Sequence, residues 1–203
     1  MGEIKYTPIG IIHSPFKEPK GTPIQPTAAK GVDGTVEVFP EYVEGLKDLD
    51  GFSHIILIYH FHLSKKFSLK VKPYMDNQIH GVFSTRAPSR PNPIGISIVR
   101  LIKIEKNILY IRDVDIVDGT PLLDIKPYVP EFDVRRVDKI GWLERNVNKL
   151  PTSKDDGRFQ NDCWSSDNSG HTATLRAFAQ IRQSRNSYVH KYVRRNSECG
   201  RVQ

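Results

Sequence analysis

Apolar positions over the first 130 residues recur mostly with the short period of extended chain. Gly31 to Phe39 alternates Val32, Val36 and Val38 with Asp33, Thr35 and Glu37, which predicts a strand with an irregularity at Gly34. Ile4 to His13 is rich in Ile and ends at Ser14-Pro15, predicting a strand that opens the sheet. Ser53 to Leu63, S-H-I-I-L-I-Y-H-F-H-L, is the most apolar run, and its length and β-branching predict a strand covered on both faces. Ile79 to Ser84 predicts a further short strand, and Ile96 to Ile104 with Ile108 to Ile116 a hairpin turning at Glu105-Lys106-Asn107. Tyr42, Leu46 and Leu49 have the spacing of a short helix face that stops at Asp50-Gly51. No long helix separates successive strands, which argues against βαβ units and for an antiparallel barrel or sandwich.

Three polar segments punctuate this body. Phe16 to Lys30 is a proline-rich loop carrying Gln25, and Asp118-Gly119-Thr120-Pro121 predicts a tight turn, with Pro121 blocking a central strand. Gly81 to Ile96, G-V-F-S-T-R-A-P-S-R-P-N-P-I-G-I, holds three prolines that exclude a helix or an ordinary inner strand. Arg86 and Arg90 on this stiff loop are either solvated surface groups or forked hooks for a carboxylate or phosphate. Gathered at one barrel end, loops 16–30, 81–96 and 117–128 would hold a small polar ligand. In extended chain Asp124, Lys126 and Tyr128 share a face, which makes them candidates for orienting a substrate base or handling its proton, or else a surface ion pair.

Charge changes the picture only locally. The net charge is +7, but +4 of it lies from Phe159 onward, leaving +3 for the preceding 158 residues. A binding surface must therefore come from clustering, and Lys65, Lys66, Lys70 and Lys72 interleave with Phe67 and Tyr74 in a manner suited to RNA. Cys163 and Cys199 are both in the tail, so no cysteine framework or cysteine zinc site supports the main body. His54, His60 and His62 share strand parity, yet no third ligand type completes a metal set, and no metal is expected. Nothing matches a dinucleotide fingerprint, a P-loop or a nucleophile elbow. No apolar run approaches a membrane span, and no cleavage-site pattern stands at the N-terminus, which predicts a cytoplasmic protein.

The motifs H-S-P-F (13–16), T-P-I-Q-P (22–26), G-F-S-H-I (51–55), G-V-F-S-T-R-A-P-S-R-P-N-P-I-G (81–95) and D-G-T-P-L-L-D-I-K-P-Y (118–128), in this order, resemble the TsaA/TrmO family. The resemblance implies a mainly β, single-sheeted antiparallel barrel with short helices and a C-terminal extension. It implies a homodimeric methyltransferase that uses S-adenosylmethionine and acts on N6 of threonylcarbamoyladenosine at position 37, in the anticodon loop of tRNA. The cofactor site it implies comprises Pro23, Ile24, Gln25, Phe61, His62, Arg86, Ile96, Asp115, Ile116, Val117 and Asp118. Arg90 joins the four lysines as an expected RNA contact. Rival readings keep the cofactor and change the acceptor to another RNA, a protein or a metabolite, or keep only an RNA-binding regulatory barrel. The expected organisation is a barrel domain over 1–133, a segment packing on the barrel or a partner over 134–154, and a flexible basic tail over 155–203 with a short helix at 172–183.

Overall fold

The computed structural model describes residues 4–160, so the expected helix at 172–183 lies outside the described residues. Six strands, β1 (Gly10–His13), β2 (Asp33–Val38), β3 (His54–His60), β6 (Ile94–Glu105), β7 (Ile108–Arg112) and β8 (Thr120–Pro127), close into an antiparallel barrel. Their order is β1-β2-β7-β6-β3-β8. A separate two-stranded ribbon joins β4 (Lys70–Val71) to β5 (His80–Gly81).

Alternation decides which side chains fill the barrel. Ile12, Val36, Val38, Ile55, Leu57, Val99, Leu101, Leu109, Ile111 and Leu122 point inward and are buried. Each such side chain contributes about 1.5–3 kcal/mol by leaving water. The segment predicted as a short helix forms 3-10 turns at Pro40–Leu46 and Leu49–Gly51, and Tyr42, Leu46 and Leu49 pack against the core from there. They close one end of the barrel, where β2 ends and β3 begins. The loops 14–32, 61–93 and 113–119 all leave from the opposite end.

Several boundaries differ from the sequence expectation for identifiable reasons. The opening strand starts only at Gly10, where pairing with Val38 and Leu122 begins. The expected strand at 79–84 is β5 followed by a 3-10 turn at Val82–Ser84, since Lys70–Val71 offers only two residues to pair with. β7 stops at Arg112 because Asp113 adopts left-handed backbone geometry, with φ 69°, and turns the chain out of the ladder. Pro121, expected to block a central strand, sits second in β8 of the closed barrel. Leu122 turns its carbonyl to the β1 side, accepting from Ile9 N at 2.8 Å, so the neighbouring Pro121 nitrogen faces β3, whose pairing with β8 ends at Tyr59 and Leu122. The missing N–H therefore costs no ladder bond.

The isoleucines of β6 reverse the usual polarity. Gly95, Ser97, Val99 and Leu101 face inward, while Ile94, Ile96 and Ile98 face outward at 38%, 50% and 40% exposure. Gly95 is required inside, because a Cβ there would lie 2.2 Å from the Tyr59 ring and 2.9 Å from Phe61.

Candidate functional site

A cavity of about 450 Å³ opens at the loop end of the barrel. Its floor consists of the inward side chains at the ends of β3 and β6. The Ser97 hydroxyl donates to Asp115 Oδ1 at 2.6 Å, and the Tyr59 hydroxyl lies 3.1 Å from Ser97 Oγ. With the single Ser97 proton committed to the carboxylate, Tyr59 is the donor in the second bond. The result is a directed chain from Tyr59 through Ser97 to Asp115. Burial pushes the Asp115 carboxyl up to about 7, against the opposing pull of the Ser97 hydrogen bond and the Arg86 charge. Burial likewise pushes the Tyr59 phenol above its ordinary value, keeping it a donor.

Two loops form the walls. Gln25 precedes the 3-10 turn Pro26–Ala28, and its Oε1 accepts from Arg86 Nη1 at 2.7 Å. The Gln25 Nε2 amide donates to the carbonyl of Ile24 at 2.7 Å, so the side chain is held at both ends. Arg86 follows a turn in which Thr85 Oγ1 donates to Val82 O at 2.8 Å. Phe61 stands edge-on to Tyr59, with ring centroids 5.4 Å apart. Thr120 Oγ1 donates to Val117 O at 2.6 Å and lies 3.4 Å from His62 Nδ1, which sets the 115–117 turn beside the end of β3. Burial holds His62 below the ordinary imidazole value, helped by the neighbouring His60, so it is neutral near pH 7.

Of the expected cofactor residues, Pro23, Ile24, Gln25, Phe61, His62, Arg86, Ile96, Asp115, Ile116 and Val117 all line this one cavity. Asp118 does not. Its carboxylate accepts from Ser14 N at 3.1 Å and Lys17 Nζ at 2.9 Å on the outer side of the turn, and its own amide donates to Phe16 O at 2.7 Å. Burial raises its pKa, but Lys17 and the Ser14 amide outweigh that and hold it below the ordinary value. It fixes the first loop and leaves ligand contact to its neighbours.

The other expected groups are distributed differently. Asp124 and Lys126 form a 2.8 Å ion pair on the outer face of β8, opposite Ile58 and Ile56, and Tyr128 lies past the strand end with its ring 6.4 Å from that of His54. None of the three lines the cavity: the bulge between Leu122 and Asp124, opposite Tyr59 and Ile58, moves the inward parity from Thr120 and Leu122 to Ile125 and leaves Asp124 and Lys126 outside. Asp124 and Lys126 do share a face, and it is the outer one of their own barrel. Arg90 lines the cavity too, and its Nη1 donates to Thr85 O at 3.2 Å and Ala87 O at 3.3 Å, bracing its own loop. Lys65, Lys66, Lys70 and Lys72 are exposed. Among the described residues no group of three or more His, Cys, Asp or Glu converges as a metal site.

Sequence reasoning missed Ser97, which holds Asp115 and Tyr59 by hydrogen bonds, and Tyr59, Tyr74, Asp155, Phe159 and Gln160, which line the cavity. Strand parity from Ile55 and Leu57 was the available signal for Tyr59, and pairing of β3 with β6 then implicates Ser97 opposite Leu57. The last three fall where the tail was expected to begin, yet Asp155–Gln160 are seated against the barrel loops.

A family model described as the tRNA-methyltransferase O N-terminal domain matches residues 11–134. A probable S-adenosyl-L-methionine-binding protein of Pyrococcus abyssi is 71% identical over 156 residues, covering 77% of this chain and 85% of that protein. The human tRNA (adenine(37)-N6)-methyltransferase is 36% identical over 139 residues, covering 65% of this chain and 32% of the human protein. The crystal structure of TrmO from Pseudomonas aeruginosa superposes with a TM-score of 0.59 at 39% identity, over 70% of this chain and 63% of that one. The chain thus spans less than two thirds of the solved relative and about a third of the human one.

Proposed function

Because the chain belongs to the family of the tRNA-methyltransferase O N-terminal domain, we propose that it is an S-adenosylmethionine-dependent methyltransferase acting on N6 of threonylcarbamoyladenosine at position 37 of tRNA. The observation that carries this reading is the cavity itself, in which Arg86 and Asp115 present opposite charges beside the Phe61 ring and Ile116. That set fits a ligand with a carboxylate, a cationic centre and an adenosyl group. When bound, the cofactor supplies a methyl group already activated by its sulfonium charge.

In this role Arg86, oriented by Gln25, holds the carboxylate of the methionyl part. Asp115, oriented by Ser97, offers a carboxylate to the cationic side, and the Phe61 ring adds cation-π attraction of order 1 kcal/mol. Main-chain groups of 23–25 and 115–117 read the adenine. With the cofactor so held, transfer would exchange its sulfur–carbon bond for a carbon–N6 bond, the N6 proton leaving to solvent. Positioning is then most of the catalysis, since the protein need supply no nucleophile. The exposed Lys65, Lys66, Lys70 and Lys72 hold anticodon-loop phosphates, where a single-stranded base can be presented without melting a duplex.

The outward Ile94, Ile96 and Ile98 beside the cavity mouth support a homodimer built on this face. Asp124, Lys126 and Tyr128 lie on or beside the same outer surface, so a second chain is the route by which they reach an acceptor base. Among the described residues no helix is long and apolar enough to cross a membrane, and a tRNA substrate is in keeping with a cytoplasmic protein.

Incubation of purified protein with labelled S-adenosylmethionine and total tRNA, followed by nucleoside mapping, tests the reading. Label in N6-methyl threonylcarbamoyladenosine is the expected outcome. Label in a different nucleoside replaces the acceptor, and cofactor binding with no label in tRNA overturns the proposal.

A further inference from the structure

The family match ends at residue 134, but the cavity wall does not. After the barrel the chain runs through 3-10 turns at Gly141–Arg145 and Val147–Thr152. Here Trp142 Nε1 donates to Ser84 O at 2.8 Å, and the indole stacks on His80 with ring centroids 4.8 Å apart. Lys149 Nζ reaches Met75 O at 3.2 Å. The segment is therefore already docked on the 75–84 region when it arrives at Ser153.

Residues 153–155 then lie antiparallel to the first wall loop, bridging Pro23 to Lys154. Gly21 N donates to Asp155 O at 2.7 Å, Asp155 N to Thr22 O at 2.8 Å, and Ile24 N to Ser153 O at 3.4 Å. A few residues on, Arg158 Nη1 donates to Pro73 O at 2.6 Å and Lys72 O at 3.3 Å, with its guanidinium 5.2 Å from the centre of the Tyr74 ring. Phe159 packs against the cluster of Val71, Val82 and Ala87, and meets Tyr74 edge-on at 5.1 Å. The strap thus spans from the loop that carries Gln25 to the segment that leads into Arg86, and these two side chains meet across the cavity mouth at 2.7 Å.

The first loop depends on this arrangement. It is rich in proline and has no place in the barrel ladder, and its Gly21 and Ile24 donors are satisfied by strap carbonyls. We propose that the 153–160 strap is a positioning element of the binding site, anchored by Arg158 and Phe159. It holds Pro23-Ile24-Gln25 in the register at which Gln25 orients Arg86, and it closes one side of the cavity beside a bound adenosyl sulfonium. This rests on the cofactor assignment above for its ligand, although not for its geometry.

The test compares R158A, F159A and their conservative counterparts R158K and F159L in the full chain. Amide exchange at Gly21, Ile24 and Asp155 should accelerate tenfold or more in the alanine variants, while exchange in β3 and β6 stays unchanged. The dissociation constant for S-adenosylmethionine should rise at least fivefold, and the conservative variants should recover most of both effects. If the alanine variants lose the barrel's thermal transition, D155P against D155A isolates the bond from Asp155 N to Thr22 O, and only the proline variant should show the full loss. Unchanged exchange at Gly21 and Ile24, or an unchanged dissociation constant in a protein that binds cofactor, overturns the proposal. A wild-type chain that binds no S-adenosylmethionine refutes the cofactor assignment instead, and the exchange measurement then decides the strap alone.

Discussion

Arg86 Nη1 donates to Gln25 Oε1 at 2.7 Å across 61 residues of sequence, joining two proline-stiffened loops at the mouth of the cavity. A guanidinium held this way keeps its remaining donors aimed and loses less freedom when it takes a carboxylate.

Arg86→Ala is therefore expected to weaken S-adenosylmethionine binding at least tenfold, or about 1.4 kcal/mol. Gln25→Ala should cost less, and the double variant little more than Arg86→Ala alone, since Gln25 acts through the arginine. Calorimetric titration of the four proteins checks this. Additive losses would mean that Gln25 contacts the ligand independently.

Asp115 gives the protein a pH dependence with a defined sign. Burial raises its pKa in the folded state from the ordinary 3.8 to about 7, so the folded form binds the proton more tightly than the unfolded one. The associated stability is fully present below pH 3.8, is lost as pH rises to about 7, and is flat above. Asp115→Asn should accordingly gain on the wild type between these limits, by at most about 4 kcal/mol from a shift of about three units. Urea denaturation at pH 5 and pH 8 measures it. Affinity for a cationic ligand should run the other way in the wild type, rising through pH 7 as the carboxylate forms.

Gly95→Ala tests the packing beneath the cavity. The new Cβ would lie 2.2 Å and 2.5 Å from Tyr59 ring atoms, so the ring must move and with it the bond to Ser97. Overpacking of this kind costs about 1–3 kcal/mol. Chemical denaturation should show that loss together with weaker cofactor binding, whereas Gly45→Ala, where a Cβ meets nothing within 4 Å, should not weaken cofactor binding.

Replacing Lys65, Lys66, Lys70 and Lys72 by Ala should weaken tRNA binding and flatten its salt dependence by up to about 3 in log–log slope, at about 0.7 per single-stranded phosphate contact. Cofactor affinity should stay unchanged. Arg90→Ala should instead loosen the Pro/Arg loop, because it removes two bonds to backbone carbonyls, and leave the salt slope as it was.

Ile98→Lys probes the outward apolar face. A chain that pairs through Ile94, Ile96 and Ile98 should become monomeric by light scattering and lose transfer to tRNA while retaining cofactor binding. An unchanged mass would place the interface elsewhere.

Local chemistry along the chain was enough to determine the strand-rich body, the hairpin after β6 and the stiffness of the loop that carries Arg86, because period-two alternation and proline act over neighbouring residues. The family resemblance that the motifs carry, and no local pattern, named ten residues that line one cavity. What the tertiary structure decided is facing and company. Ile94, Ile96 and Ile98 of β6 point outward, because the Tyr59 ring and the Ser97–Asp115 pair occupy the barrel side and leave room there only for Gly95. Asp124 and Lys126 share a face, as their spacing says, but which side of the wall that face lies on depends on the register of β8 against β3. The bonds from Arg90 to the carbonyls of Thr85 and Ala87 likewise appear only once its loop has folded around it. The strap carried no periodic signal at all, since its hold on the site comes from backbone bonds to Gly21, Thr22 and Ile24 more than 125 positions away, and backbone groups are the same in every sequence.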